Sequence, residues 1–482
     1  MTRFSRTELT LLAPLAMLAA DCSQRESAPD DVTASTATAG AHDWTRFGWN
    51  AARSNASTDA TDIDATNVAT MQRQQIRIDG TVDASAIYLH DVQVNGASHD
   101  VFFVTTSYGK TLAIDARTGT VLWRYTPPDY DSFAGSYRIT NSTPVADPDR
   151  QFVYAAAPDG MVRKLAVADG HAVWSTAITL LPTREKIASP LNFDRGHVVA
   201  VTGGYIGDAP PYQGHVAVLD AASGALLHVW NALCSDRPGL IAPASCAESG
   251  SAIWGRAGAV IDTAGNIFVT TGDGVWNGRN HWGDAILELD ANATRLLGNL
   301  TPANTELLDV SDADLGSTSP VLLADGIVAQ GGKDRRIRLV DWRAMRDGMP
   351  HRGEETQSVS TPSGSGLFTA PAVLHTPTST WVFAADNGGT AAWTLAAGRL
   401  AAVWHNDNGG TSPVVAGGLL YVYDPSGSLR VYQPETGREL ARLATGSGHW
   451  NSPIVVGGMI ALPEGSANSH STTGVINIFR VK

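Results

Sequence analysis

Charge is scarce in this chain: of 482 residues only 17% are Asp, Glu, Lys or Arg. Acids outnumber bases, the net charge is −13, and no Lys/Arg block is long enough to follow a phosphate backbone. Nucleic acid is therefore not an expected partner. The one basic run, Lys333 to Arg338, alternates as a strand face does. Cysteine is nearly absent, at three residues. Long segments of helical period are few, which argues against a helical bundle. Several enzyme signatures are missing too. No Gly-x-Ser-x-Gly elbow occurs, the Gly331-Gly332-Lys333-Asp334 run lacks the spacing of a phosphate loop, and none of the 13 His stands at zinc spacing.

What the chain does have is glycine, 48 residues, and tryptophan, 13 residues. Short apolar runs alternate with glycine-containing turns, as in a large all-β array. The first residues stand apart. Arg3 and Arg6 precede an apolar run from Leu9 to Ala20 that is too short to span a bilayer comfortably. Residues 1–21 read as a secretory signal peptide. The text Leu18-Ala19-Ala20-Asp21-Cys22 resembles a lipoprotein processing box, which makes Cys22 a candidate lipid anchor, although Asp21 stands where a small residue is usual. Cleavage near Ala20 with a soluble product is the alternative. Residues 22–42 are small and polar and read as a flexible tether. Such a leader implies export to the periplasm, or anchoring to the outer membrane from the periplasmic side. In that oxidising setting Cys234 and Cys246 are expected to form a disulfide.

A repeat fills residues 43–482. A small-Pro-apolar triplet recurs at Thr143, Ser189, Ser319, Ala370, Ser412 and Ser452, with looser versions at Ala84 and Arg256. The steps average about 53 residues. After each start come three further apolar runs separated by turns, and the last often ends in Trp, as at Trp123, Trp174, Trp230 and Trp404. Four short strands repeated at this period make a propeller blade. The expected fold is all-β: an eight-bladed β-propeller of four-stranded antiparallel blades. The last repeat is short, so residues 70–79 are expected to close the ring by pairing with the C-terminal strands.

The text AIDARTGTVLW (113–123) resembles the repeat of pyrroloquinoline quinone (PQQ) type propellers. That family includes quinoprotein alcohol dehydrogenases, polyvinyl-alcohol-dehydrogenase-like proteins and the propeller lipoprotein of the outer-membrane barrel assembly machine. The resemblance implies that the blade-ending tryptophans dock onto neighbouring blades. The stretch GDGVWNGRNHWGD (272–284) resembles the dehydrogenases' cofactor text, and its WGD, with DADLGSTSPVLL (312–323), resembles the polyvinyl-alcohol-dehydrogenase-like branch. On that resemblance Asp273 and Asn277 would ligate Ca²⁺. Arg256 and Lys333 would pair with the quinone, Trp276 or Trp450 would stack on it, and Asp284 or Asp334 would take the alcohol proton. Other polar candidates are Asp386, Asn387, His405, Asp407, Asn408, His449 and Asn451. The chain departs from the alcohol dehydrogenases in three ways. It has no Cys-x-x-Cys-His haem motif, no adjacent cysteine pair, and no match to their Trp-Asp segment. Oxidation of a small alcohol would thus need a separate electron acceptor. The same fold also serves non-catalytic scaffolds that bind protein partners.

Overall fold

The computed structural model describes residues 43–482; the expected signal peptide, the expected tether and Cys22 lie outside the described residues. Eight antiparallel sheets form eight blades, and each expected start opens one. The inner strands are short: Ile87–Val94, Val145–Ala146, Asn192–Asp194, Val260–Ile261, Val321–Leu322, Ala372–His375, Val414–Ala416 and Ile454–Val456. In blade three a second segment, Glu185–Ile187, also pairs with the second strand His197–Gly204, so its inner strand comes in two pieces. Ring closure is as expected. Gln72–Ile78 pairs with Gly474–Arg480, from Gln72 opposite Arg480 to Ile78 opposite Gly474. The first strand among the described residues thereby becomes the outer strand of the last blade.

The strands read as strands because they are apolar and rich in Val, Ile, Phe and Tyr, with sharp turns between them. The middle strands are buried on both faces, since each sheet packs between two others, while outer strands such as Ala172–Ala177 and Arg399–Asn406 are largely exposed. The tryptophans join blades as expected. Trp123 donates its indole N–H to Val167 O at 2.8 Å, Trp174 to Ala221 O at 3.2 Å, and Trp404 to Pro434 O at 2.7 Å, each in the following blade. Trp123 lies flat on Gly170, where a Cβ would fall 2.5 Å from the indole and where φ is +77°. Glycine is required there twice over, for the turn and for the ring above it. The Cys234–Cys246 disulfide is formed. Among the described residues no helix is long and apolar enough to cross a membrane.

One feature has no counterpart in the repeat. Residues 44–62 run along the inner strands as a strap. Tyr88 N donates to Trp44 O at 2.8 Å, Ala146 N to Thr45 O at 2.8 Å, and Ile261 N to Ala51 O at 2.9 Å. Val373 N donates to Ser54 O at 2.7 Å, Val415 N to Asn55 O at 2.8 Å, and Asp62 N to Gly457 O at 3.1 Å. These inner strands have no neighbour on their inward edge, so their N–H groups need partners from elsewhere. Arg53 of the strap is buried on backbone carbonyls alone, Phe47 O and Leu191 O.

Candidate axial site

Antiparallel strands alternate in direction. The loops that lead into inner strands and the turns between second and third strands therefore share one end of the propeller. At that end two groups of charged side chains face the axis.

The first group belongs to blades four and five. Asp273 and Asp284 flank the long loop of blade four, and Asp312 and Asp314 precede the inner strand of blade five. One oxygen each from Asp273, Asp312 and Asp314 lies within 4.8 Å of the other two. Lys333 is the cation among them, paired with Asp312 and 3.1 Å from Asp314, and it lies over the Trp254 ring at 5.4 Å. Trp254 donates its indole N–H to Asp314 at 3.1 Å. Gly272 makes this approach possible, since a Cβ there would sit 2.4 Å from Asp314 Oδ2. Asp284 is wholly buried, and its Oδ1 accepts from Leu315 N at 3.1 Å. Asp284 Oδ2 and Asp273 Oδ1 are buried without a partner. Burial and the neighbouring carboxylates push the Asp284 carboxyl up to about 8 and raise Asp273 as well. Ionised together, four carboxyls around one ammonium would carry an excess of negative charge that a cation would neutralise.

The second group centres on Asp83, just before blade one. This carboxylate, also buried, accepts from His449 Nδ1 at 2.7 Å, Trp450 N at 2.7 Å, Ala467 N at 3.0 Å and Asn141 Nδ2 at 3.1 Å. Despite its burial, these donors and nearby Arg256 hold it below the usual carboxylate range. Arg256 comes from blade four and reaches across the axis, donating to Asp83 O at 3.0 Å and Trp450 O at 2.8 Å. Burial lowers its guanidinium to about 10, and lowers the ammonium of Lys186, which donates to Asn141 Oδ1, to about 8.

Between the two groups runs an aromatic row. Trp254 and Phe368 have centroids 6.2 Å apart, Phe368 and Trp450 5.6 Å apart. Arg256 lies 5.9 Å from the Trp450 ring centre.

The structure thus gathers Asp273, Asp284, Lys333, Arg256 and Trp450 of the expected site at one end. Three others serve elsewhere. Asn277 is exposed, and its Oδ1 accepts from the backbone N–H groups of Arg279, Asn280 and His281, closing its own turn. Trp276 packs against the blade-four core with Arg352 over its ring at 5.4 Å. Asp334 is paired with Arg338 at 2.5 Å. The outer half of the long loop is a brace: Trp282 donates to Ser235 Oγ and Asn280 to Asp236, both at 3.0 Å, on the segment that the disulfide staples. Asp83, Asp312, Asp314 and Phe368 were not expected. The two-acid text Asp312-Ala313-Asp314, directly before a blade start, was the signal available for two of them.

The family model described as outer membrane protein assembly factor BamB matches residues 28–239 and 378–473. The chain belongs to this PQQ-repeat family. All of the acid group, with Trp254, Arg256 and Phe368, lies in the interval between the matched stretches. Comparison with curated proteins finds no match. Among solved structures, the quinohaemoprotein alcohol dehydrogenase ADHIIG of Pseudomonas putida HK5 is similar at 15% identity and a TM-score of 0.70, over 92% of this chain and 81% of that one. A europium-containing methanol dehydrogenase is similar at 14% identity and a TM-score of 0.67, over 92% and 98%. BamB from Moraxella catarrhalis is similar at 15% identity and a TM-score of 0.53, over 86% and 98%. At these identities the likeness is one of fold.

Proposed function

We propose that the protein is an exported quinoprotein-type oxidoreductase whose axial site binds a divalent cation and PQQ and oxidises a small alcohol. The observation that carries this reading is the acid group of blades four and five, with two buried carboxylate oxygens that have no partner. Oxygen ligands 2.3–2.6 Å from a Ca²⁺ ion lie at most about 5 Å apart, and Asp273, Asp312 and Asp314 meet that spacing. The donor set is all oxygen, which favours a hard cation over zinc or copper. For the quinone, Lys333 and Arg256 offer cationic groups to its carboxylates, and Trp254 and Trp450 offer aromatic faces. When bound, the quinone supplies a two-electron acceptor. Asp284 Oδ2 is the group placed to accept the alcohol proton, and its raised pKa suits a base working near neutrality. Electrons then leave to a separate acceptor.

The test is a titration of the mature protein with PQQ in Ca²⁺ buffer, followed by tryptophan quenching, with Asp273→Ala alongside. Ca²⁺-dependent quenching lost in the variant is expected, followed by dye-linked alcohol oxidation. No quenching at any PQQ concentration would overturn the reading.

A scaffold role has one observation of its own. The helix Thr305–Val310, close in sequence to Asp312, exposes Leu307 at 61% and Val310 at 79%. Exposed apolar side chains of this kind suit a protein partner. Loss of a partner on changing both to Ser, with PQQ binding absent, would favour that role.

A further inference from the structure

Resting on the quinoprotein reading, we infer that Phe368 gates the axial site: its ring stands between Trp254 and Trp450, where a planar aromatic anion would lie. Three observations lead there. First, Trp254, Phe368 and Trp450 belong to none of the apolar core clusters of the described residues. Rings set in a polar mouth and used in no blade core are free to serve a ligand. Second, the ends of the row are cationic, Lys333 over Trp254 at 5.4 Å and Arg256 near Trp450 at 5.9 Å. Aromatic walls with cations at the ends fit a flat polycarboxylate. Third, the row is closed. A flat ring between two walls needs about 3.5 Å on each face. Phe368 already sits between the two tryptophans, its centroid 6.2 Å and 5.6 Å from theirs and its plane tilted by 49° and 38° to them, so a ligand ring could stack on either indole only after Phe368 moves.

Phe368 is suited to move without disturbing the fold. Its backbone is held on both sides. Leu367 N donates to Gly332 O at 2.9 Å, Ser317 Oγ donates to Leu367 O at 2.7 Å, and Thr318 Oγ1 donates to Thr369 O at 2.8 Å. Its ring touches other rings only at the two tryptophans. In the closed state Phe368 packs at a tilt against both indoles, an apolar contact that is favourable in water. An incoming ligand must replace that contact. Phe368 therefore sets a threshold that flat aromatic anions pass and aliphatic ones do not.

The test is calorimetric titration of the full mature chain with PQQ in Ca²⁺ buffer, comparing wild type, Phe368→Ala and Phe368→Trp. The expected result is affinity at least about tenfold tighter for F368A and about tenfold weaker for F368W. Thermal midpoints are read beside each titration, and F368L replaces F368A if the latter unfolds. Wild-type binding with F368A (or F368L) unchanged or weaker would overturn the gate and leave the quinoprotein reading standing. Absence of binding by every variant, with Tb³⁺ luminescence still reporting a bound cation, would overturn the gate together with the quinone half of that reading.

Discussion

Asp83 and Asp284 are both buried at the same end of the propeller, yet their carboxyls shift in opposite directions. Asp83 is held low because four donors from blades eight and two reach it and Arg256 lies near. Asp284 is raised first by burial and then by the acids that crowd it, Asp314 foremost, and a single backbone donor does not offset them. Burial is the same and the sequence neighbourhood is similar; the supply of donors differs. A buried carboxylate with a full set of partners is a structural joint. One left short is a site awaiting a positive charge.

The sharpest way to break this contrast is to remove each acid. Asp83→Ala strands His449, Asn141 and two backbone N–H groups and leaves Arg256 and Lys186 without their counter-ion. A loss of about 3–5 kcal/mol is expected in urea denaturation. Asp273→Ala should do the reverse. Stability of the cation-free protein holds or rises by about 1 kcal/mol, while Tb³⁺ or Ca²⁺ affinity drops by about a hundredfold in calorimetry. A destabilised Asp273→Ala with intact cation binding would erase the distinction.

The pH dependence comes next in size. Asp284 titrates at about 8 in the folded chain, above its unfolded value of about 4. Its stabilising contribution is therefore complete below about pH 4 and is lost as pH rises through about 8. Denaturation midpoints of chelator-treated protein should fall over that window, and Ca²⁺ should flatten the fall. Asp83, whose folded value is depressed, acts on the opposite side: its contribution is present above the unfolded value and lost as pH drops through the folded one. The smallest effect expected is that of Asn277→Ala. It costs about 1 kcal/mol through the opened turn and leaves cation affinity within about twofold of wild type.

The blades were legible because the Ser-Pro starts and glycine turns are local signals repeated eight times, and ring closure followed from a last repeat one strand short. The Cys234–Cys246 pair was legible from compartment and count. The site was legible only where a residue lay in the conspicuous stretch 272–284 or beside a blade start. Asn277 and Trp276 share that stretch with Asp273, but the loop folds back, so its middle braces the neighbouring segment while its two ends face the axis. Asp334 is next to Lys333 in the same turn, but it is taken up by Arg338 of the strand that follows. Asp83 and Phe368 act through distant partners, His449 and Trp450 among them, in loops that converge only once the ring has closed.

The strap of residues 44–62 has a consequence for how the chain reaches its native state. Its hydrogen bonds run to blades one, two, four, six, seven and eight, so segments at the very start wait for segments made last. Contacts so distant in sequence are formed late. Until Gly457 and the strand Gly474–Arg480 have emerged, neither the strap nor the closing strand has its final partners. Ring closure thus joins the first described residues to the last ones. A chain crossing a membrane from its N-terminus would arrive on the far side still open and be sealed only there.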